Sequence, residues 1–262
     1  MRKISLGDFT SLAKKYTKYR PGYSKNIVKI LANIDREENH AGIRIADVGA
    51  GTGIFTRLIE EHFKKEDQIF AIEPNEAMRE EGINFQGHMA SRIVWKKGDA
   101  EETTLETNSI DLISMASAFH WPDTKKALSE FNRILRPGGV FAALWNPRIT
   151  ELSDVETMVN KLLIDDYKVT TRVSSGRSGL AENMTKVLQE CDYFKNIVYC
   201  ESLDKVVINP DQYIGAWESV NDIRSQLGED NFIEFLQKIR NMLKNTSEVP
   251  VYYLTRCWIA YK

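Results

Sequence analysis

Asp47-Val48-Gly49-Ala50-Gly51-Thr52-Gly53 follows the apolar run 43–46 directly and opens a helix-like stretch from Phe55 to Phe63. Glycines at alternate positions let the chain turn tightly and bring its backbone N–H groups close to a ligand, and a helix N-terminus favours negative charge. An anionic ligand group is expected at this loop. A plain strand-to-helix turn would tolerate one or two glycines but hardly needs three. Glu73 ends the next apolar run, 20 residues beyond Gly53. A carboxylate there can accept hydrogen bonds from both hydroxyls of a ribose, so loop and carboxylate together point to a nucleoside. A dinucleotide site spaces its glycines G-x-G-x-x-G, whereas here Ile54 holds the third position and the glycine sits at 53.

His120 sits after the fourth apolar run, at the carboxyl edge where open α/β sheets bind ligands. Two roles stand open for it. An imidazole titrating near 6.5 suits a general base; alternatively Phe119, His120 and Trp121 form an aromatic wall. His40, His62 and His88 have no metal-ligand spacing and read as surface residues, and no CxxC pair is present, so no metal is expected.

These residues need elements to hold them. Apolar runs at 43–48, 69–73, 92–96, 110–115 and 140–145 alternate with helical patterns at about 55–64, 75–82 and 124–135. That alternation predicts parallel strands joined by right-handed crossovers, an open α/β sheet with helices on both faces. Two amphipathic helices, 8–19 and 24–34, precede it, split by Arg20-Pro21-Gly22. Beyond 150 the pattern is mostly helical except for β-rich runs at 195–208 and 249–261, which read as the antiparallel end of the same sheet. The excursion between them, about 210–246, reads as a helical insertion forming a lid. The expected organisation is one domain over 1–262: an N-terminal helical flap (1–40), a ligand-binding core (41–146), and a substrate cap with the last two strands (147–262).

Hydrophobic residues at 42% and charged residues at 27% exclude a disordered or fibrous chain. The 35 basic and 37 acidic residues leave a formal charge of −2, which argues against wrapping a nucleic acid by electrostatics. Cys191, Cys200 and Cys257 read as ordinary thiols of a reducing compartment. With no signal-peptide pattern and no apolar stretch of about 18 residues, the expectation is a soluble cytoplasmic protein with no membrane partner.

Five segments then occur in order: Asp47 to Gly53; Ile72-Glu73-Pro74-Asn75 followed by Met78; Gly98-Asp99-Ala100-Glu101; Ile110-Asp111-Leu112-Ile113 with Ser117-Ala118-Phe119-His120-Trp121; and Phe131 to Gly139. The set resembles the class I S-adenosylmethionine-dependent methyltransferases, over roughly residues 41–146. The resemblance implies a Rossmann-like sheet ordered 3-2-1-4-5-7-6 with strand 7 antiparallel, and S-adenosylmethionine as cofactor. It implies that Asp47, Gly49, Ala50, Gly51 and Gly53 hold the methionine portion. Glu73 would take the ribose, with Pro74, Asn75 and Met78 beside the adenosine. Asp99 and Ala100 would read the adenine, and Ser117 would line the pocket loop. Tyr16 and Arg20 would fold over the methionine end, Arg20 gripping its carboxylate in a fork or standing as a solvated helix-end charge.

Tyr-x-x-Tyr-Arg-Pro at 16–21 and Ala-Phe-His-Trp at 118–121 look most like the small-molecule branch, including trans-aconitate methyltransferase-like proteins. A small-molecule acceptor follows, with Tyr23, His120, Trp121 and Trp217 expected to contact it. Arg148, Arg172 and Arg177, with Arg224 in the excursion, would suit an acidic acceptor, and Tyr213 and Trp217 of the excursion a planar or apolar one. Two other readings compete: an NAD(P)-dependent oxidoreductase using the same glycine loop, and a catalytically silent binder of S-adenosylmethionine. Oligomeric state is not legible.

Overall fold

Two segments, Arg44-Ile45-Ala46-Asp47-Val48 and Gln68-Ile69-Phe70-Ala71-Ile72, are almost continuously buried, as strands covered on both faces must be. In the computed structural model, which describes residues 10–34, 42–86, 92–170 and 179–262, they form β1 (Arg44–Val48) and β2 (Gln68–Ile72) at the centre of a seven-stranded sheet. β3 (Ile93–Lys96) pairs with β2, β4 (Ile110–Ala116) with β1, and β5 (Leu135–Trp145) with β4, all in parallel. β7 (Val249–Tyr261) lies antiparallel between β5 and β6 (Lys195–Ile208). The order β3-β2-β1-β4-β5-β7-β6 is the one implied by the resemblance to the methyltransferases.

Helices α3 (Ile54–His62), α4 (Glu76–Gln86) and α5 (Thr124–Ile134) make the crossovers, and α1 (Ala13–Tyr19) and α2 (Lys25–Ala32) precede them. Two apolar clusters cover the two faces: Phe119, Phe131 and Phe141 with α7 (Leu180–Gln189) on one, Ile27, Phe55 and Ile59 on the other. Boundaries shift where packing decides them. α4 runs past the expected end at 82 because Gly82, without a Cβ, lies directly on the Trp95 ring. β5 begins at Leu135 rather than 140, since Leu135 pairs with Ile110 across a register shift. α1 begins at Ala13, and residues 8 and 9 of the expected helix lie outside the described ones.

Between β6 and β7 come α8 (Pro210–Glu218), α9 (Asn221–Leu227) and α10 (Glu229–Met242). Asn209 and Gln212 form a reciprocal cap at the start of α8, with Pro210 in its first turn. These helices, with α6 (Asp154–Asp165), share a third apolar cluster that includes Val249, Val251 and Tyr253 of β7. α1 docks on α8, where Tyr19 covers Gly215 so closely that a Cβ would lie 2.5 Å from the ring, and Lys15 pairs with Glu218 at 2.7 Å. The N-terminal flap and the insertion therefore meet. No described helix is long and apolar enough to cross a membrane.

Arg148 is held inside this third cluster. Its Nη1 lies 3.0 Å from Glu156 Oε1, with side-chain exposures of 18% and 2%, and its guanidinium sits 4.9 Å from the Trp217 ring. Removing one member of such a buried pair leaves the other charge uncompensated, at a cost of about 3–5 kcal/mol. Glu156→Ala should lower the urea-unfolding free energy by about that amount, whereas a loss below about 1 kcal/mol, typical of an exposed pair, would contradict the burial.

Candidate functional site

Loops at the carboxyl ends of β1, β2, β3 and β4 open on a cavity of about 460 Å³, closed on the other side by the segment Tyr16 to Tyr23 and by Asn221 and Asp222 of α9. That volume lies in the range of small-molecule sites. Asp47, one residue before the end of β1, is fully buried and accepts hydrogen bonds from Thr56 Oγ1 at 2.6 Å and Ser114 Oγ at 2.8 Å, joining β1, α3 and β4. Burial pushes its pKa up to about 6, and the two hydroxyls pull the other way.

The glycine loop departs from expectation in its amides. Gly49 and Ala50 donate to the Ile72 carbonyl at 2.8 and 3.0 Å, Gly51 to Glu73 Oε2 at 2.7 Å, and Gly53 to the Ala50 carbonyl at 2.8 Å. These four N–H groups hold the protein together and form no anion cradle. The glycines are needed for conformation and closeness: Gly49 has φ +71°, and a Cβ there would meet the Ala118 Cβ at 2.7 Å. Gly53 does not reach the cavity; at φ +79° it starts α3, with Trp95 where a side chain would project. Gly53, expected at the cofactor, is thus not among the residues that line the cavity.

Glu73 is buried, with Oε1 accepting the Asn75 amide at 2.8 Å and Oε2 the Gly51 amide. Burial pushes its pKa up, and these two donors oppose the shift. Asn75 caps α4 by accepting the Met78 amide at 3.1 Å, which puts Met78 Cε 3.4 Å from the position of a Cβ on Gly51. Asp99 Oδ1 accepts the amides of Glu101 and Glu102 at 2.8 and 2.9 Å, fixing the loop that brings Asp99 and Ala100 to the wall beside Pro74.

On the opposite wall Tyr23 donates to Ser117 Oγ at 2.9 Å, and burial holds its phenol well above the ordinary value. Arg20 lies 4.9 Å over the Tyr16 ring and donates to the Ser219 carbonyl at 3.4 Å, while its Nε is buried with no hydrogen-bond partner. Ser117, at φ +53°, turns the chain so that Phe119 enters the core while His120 and Trp121 face the cavity, ring centroids 4.5 Å apart. Phe119 is therefore no part of the aromatic wall.

His120 Nδ1 lies 3.4 Å from Trp145 Nε1. Indole nitrogen can only donate, so Nδ1 accepts and the neutral ring carries its hydrogen on Nε2. Burial drives the imidazole pKa down to about 4, Asp222 opposing. A ring in this state offers an N–H, which does not fit the general-base role.

Sixteen of the eighteen residues expected at the site line the cavity; Gly53 and Trp217 do not. Trp217 turns into the third apolar cluster against Phe235 and Arg148, because α8 presents that face to α10. Tyr213 and Arg224 are likewise absent from the wall. His62 is half-buried, its Nδ1–H donating to the Leu58 carbonyl at 3.0 Å, and His40 and His88 lie outside the described residues. Sequence reasoning missed Asn146, Asn221 and Asp222; the last two are buried polar residues opening the short helix α9. Polar side chains at a helix start read as caps, so local pattern gave no signal of a cavity.

The sheet order, the glycine loop and the acidic residue after β2 define a Rossmann-like methyltransferase architecture. Residues 46–143 match the protein family described as "Methyltransferase domain", and this segment is a class I S-adenosylmethionine-dependent methyltransferase domain. An uncharacterized methyltransferase of Mycobacterium tuberculosis is 32% identical over 174 residues, 66% of this chain and 65% of that relative, so the match spans somewhat under two thirds of the relative's length. A solved structure from Anaeromyxobacter dehalogenans superposes with a TM-score of 0.63 at 22% identity, covering 93% of this chain and 97% of that one. A Haemonchus contortus phosphoethanolamine N-methyltransferase, solved with S-adenosylhomocysteine, gives a TM-score of 0.55 at 14% identity, covering 97% of this chain and 56% of that one. These two structures share the fold.

Nitrogen-15 shifts of the His120 ring should show the neutral Nε2–H form at pH 7, with protonation starting only below about pH 5. The unfolded chain takes up this proton near 6.5, the folded one near 4. The stability that neutral burial contributes is therefore intact above the unfolded value and falls as pH drops between the two. His120→Gln should flatten that slope in urea titrations; a ring titrating near 6.5 in the native protein would contradict the assignment.

Proposed function

We propose that the protein transfers a methyl group from S-adenosylmethionine to a small-molecule acceptor, the whole chain acting as one unit. The observation that carries this reading is Glu73: a buried carboxylate, fixed by two amides, beside a glycine loop whose amides at 49, 50, 51 and 53 are already engaged. A ribose diol needs a carboxylate acceptor, whereas a dinucleotide pyrophosphate needs free N–H groups at this turn. The nicotinamide reading loses its main support on that ground.

The donor set suits the whole cofactor. Glu73 would take the ribose, Asp99 and Ala100 the adenine edge, and Met78 one apolar side. Arg20, with its buried Nε lacking a partner, would take the carboxylate of the methionine portion. The sulfonium supplies an already activated methyl group. What remains for the chain is to orient both reactants and exclude water, and orientation alone is worth up to about 7–11 kcal/mol. Tyr16, Tyr23 and Trp121 would close the space around them. The formal charge of −2 supports a small acceptor over a nucleic acid.

A carboxylate acceptor was suggested by four arginines, of which Arg224 lies 3.8 Å from Glu229 and over the Phe232 ring. Arg148 is committed to Glu156, and Arg172 and Arg177 lie outside the described residues.

Calorimetry should show binding of S-adenosylmethionine and S-adenosylhomocysteine, and weak or no binding of NAD. Glu73→Ala should weaken cofactor binding about 10- to 150-fold, the loss of one charged hydrogen bond of about 1.5–3 kcal/mol. A mass-shift screen of small acids, alcohols, phenols and amines should then reveal a singly methylated product. Tight NAD binding with none of the sulfonium compound would overturn the reading.

A further inference from the structure

β6 closes one end of the sheet, and among the described residues its backbone pairs with β7 and with nothing else. An open edge of this length, 14 residues, is a template for another strand, and proteins usually blunt such edges with proline, bulges or a covering segment. β6 has no proline, and its register shift lies at one end, between Lys195 and Val198, so that 198–208 runs in unbroken register with β7.

The bonds of β7 decide which groups of β6 face outward. On the β5 side, Leu254 donates to the Pro147 carbonyl and Lys262 to the Gly139 carbonyl, both at 2.9 Å, and the Tyr252 carbonyl accepts the Ile149 amide at 2.8 Å. Even-numbered residues of β7 thus turn their N–H and C=O toward β5, and odd-numbered ones turn theirs toward β6. Cys257 lies opposite Cys200 and Tyr253 opposite Asp204, so the even-numbered residues of β6 answer them. What remains at the open edge is the N–H and C=O of Tyr199, Glu201, Leu203, Lys205 and Val207. Their side chains share one face of the strand and are all exposed, Tyr199, Leu203 and Val207 by 43%, 52% and 50%. Glu201 accepts the Tyr199 hydroxyl and Lys205 sits over the Tyr252 ring, but neither forms an ion pair among the described residues.

A second copy of the chain laid antiparallel on this edge must pair odd residues with odd ones to close the hydrogen bonds, and charge then decides its position. Centred on Leu203, Glu201 of each copy meets Lys205 of the other, Leu203 meets Leu203, and Tyr199 meets Val207. Centred on Glu201, Asp204 or Lys205, like charges meet on the axis. Centred on Ser202, Glu201 faces Leu203 and Lys205 faces Tyr199, so both charges stand against apolar or aromatic groups. The edge is complementary to itself in one register, which singles out a second copy as its occupant.

We propose that the protein forms a two-fold dimer by antiparallel pairing of β6 with β6 of a second copy, centred on Leu203, so that the two seven-stranded sheets continue into each other.

Sedimentation of the full chain should show a weight-average mass that rises with concentration from the 30.0 kDa of one chain toward twice that value, with or without S-adenosylhomocysteine. Over the same range the amides of the five outward residues should exchange hydrogen more slowly, by about tenfold once roughly nine tenths of the chains are paired. Leu203→Lys, at an exposed site, should weaken association at least about tenfold by placing like charges on the axis. Glu201→Lys and Lys205→Glu should each weaken it as well, and the two combined should restore it, because the same register then pairs the exchanged charges. A chain that stays monomeric at about 1 mM overturns the proposal. So does amide exchange that ignores concentration, a dimer untouched by Leu203→Lys, or a combined charge variant that associates no better than either single one. If a variant fails to fold, as its circular dichroism would show, the wild-type exchange rates decide. None of these readings needs a cofactor, so their failure leaves the methyltransferase reading standing.

Discussion

Glu73 takes the Gly51 amide on one carboxylate oxygen and the Asn75 amide on the other, at 2.7 and 2.8 Å, and that double attachment places the wall of the cavity formed by the loops after β1 and β2. Parallel pairing of β1 with β2 brings the two loops to the same sheet edge; the carboxylate then locks them together. The bond requires a backbone at position 51 that can turn through φ +58°, which glycine adopts without strain. It also sets Asn75, which caps α4 and so delivers Met78 to the cavity. Burial works against the charge of Glu73, and the two amides compensate. A ribose would find an acceptor already aimed, with little conformational entropy left to lose.

The two halves of the cavity have different origins. The family segment 46–143 supplies the glycine loop, Glu73, Asp99 and the His120 turn, and it ends before Asn146, Asn221 and Asp222. The opposite wall is completed by an insertion between β6 and β7, held by its own apolar cluster and by α1 docking on α8. Such a division lets one wall change while the other stays fixed, the usual relation of function to a shared fold.

Local periodicity made the sheet legible. Central parallel strands are continuous apolar runs, and β6 and β7 were readable to the residue at 195–208 and 249–261 because β-branched and aromatic residues alternate along them. Glu73 was legible because its place after a strand is itself the signal. What escaped depends on partners far away in sequence. Trp217 and Arg148 looked like pocket residues, yet the first packs on Phe235 and the second pairs with Glu156. Three alternating glycines suggested donors for an anion, but the Ile72 and Ala50 carbonyls and the Glu73 carboxylate claim those amides, and none of these bonds is visible in a one-dimensional pattern. The tautomer of His120 rests on Trp145, 25 residues away.

A crystal structure of the protein with S-adenosylhomocysteine would bear most directly on the preformed nucleoside site. The ribose hydroxyls should lie against Glu73, while the amides of Gly49, Ala50, Gly51 and Gly53 keep their partners within the protein. A ligand carboxylate bound to those four amides, or a nucleoside lying away from Glu73, would contradict it.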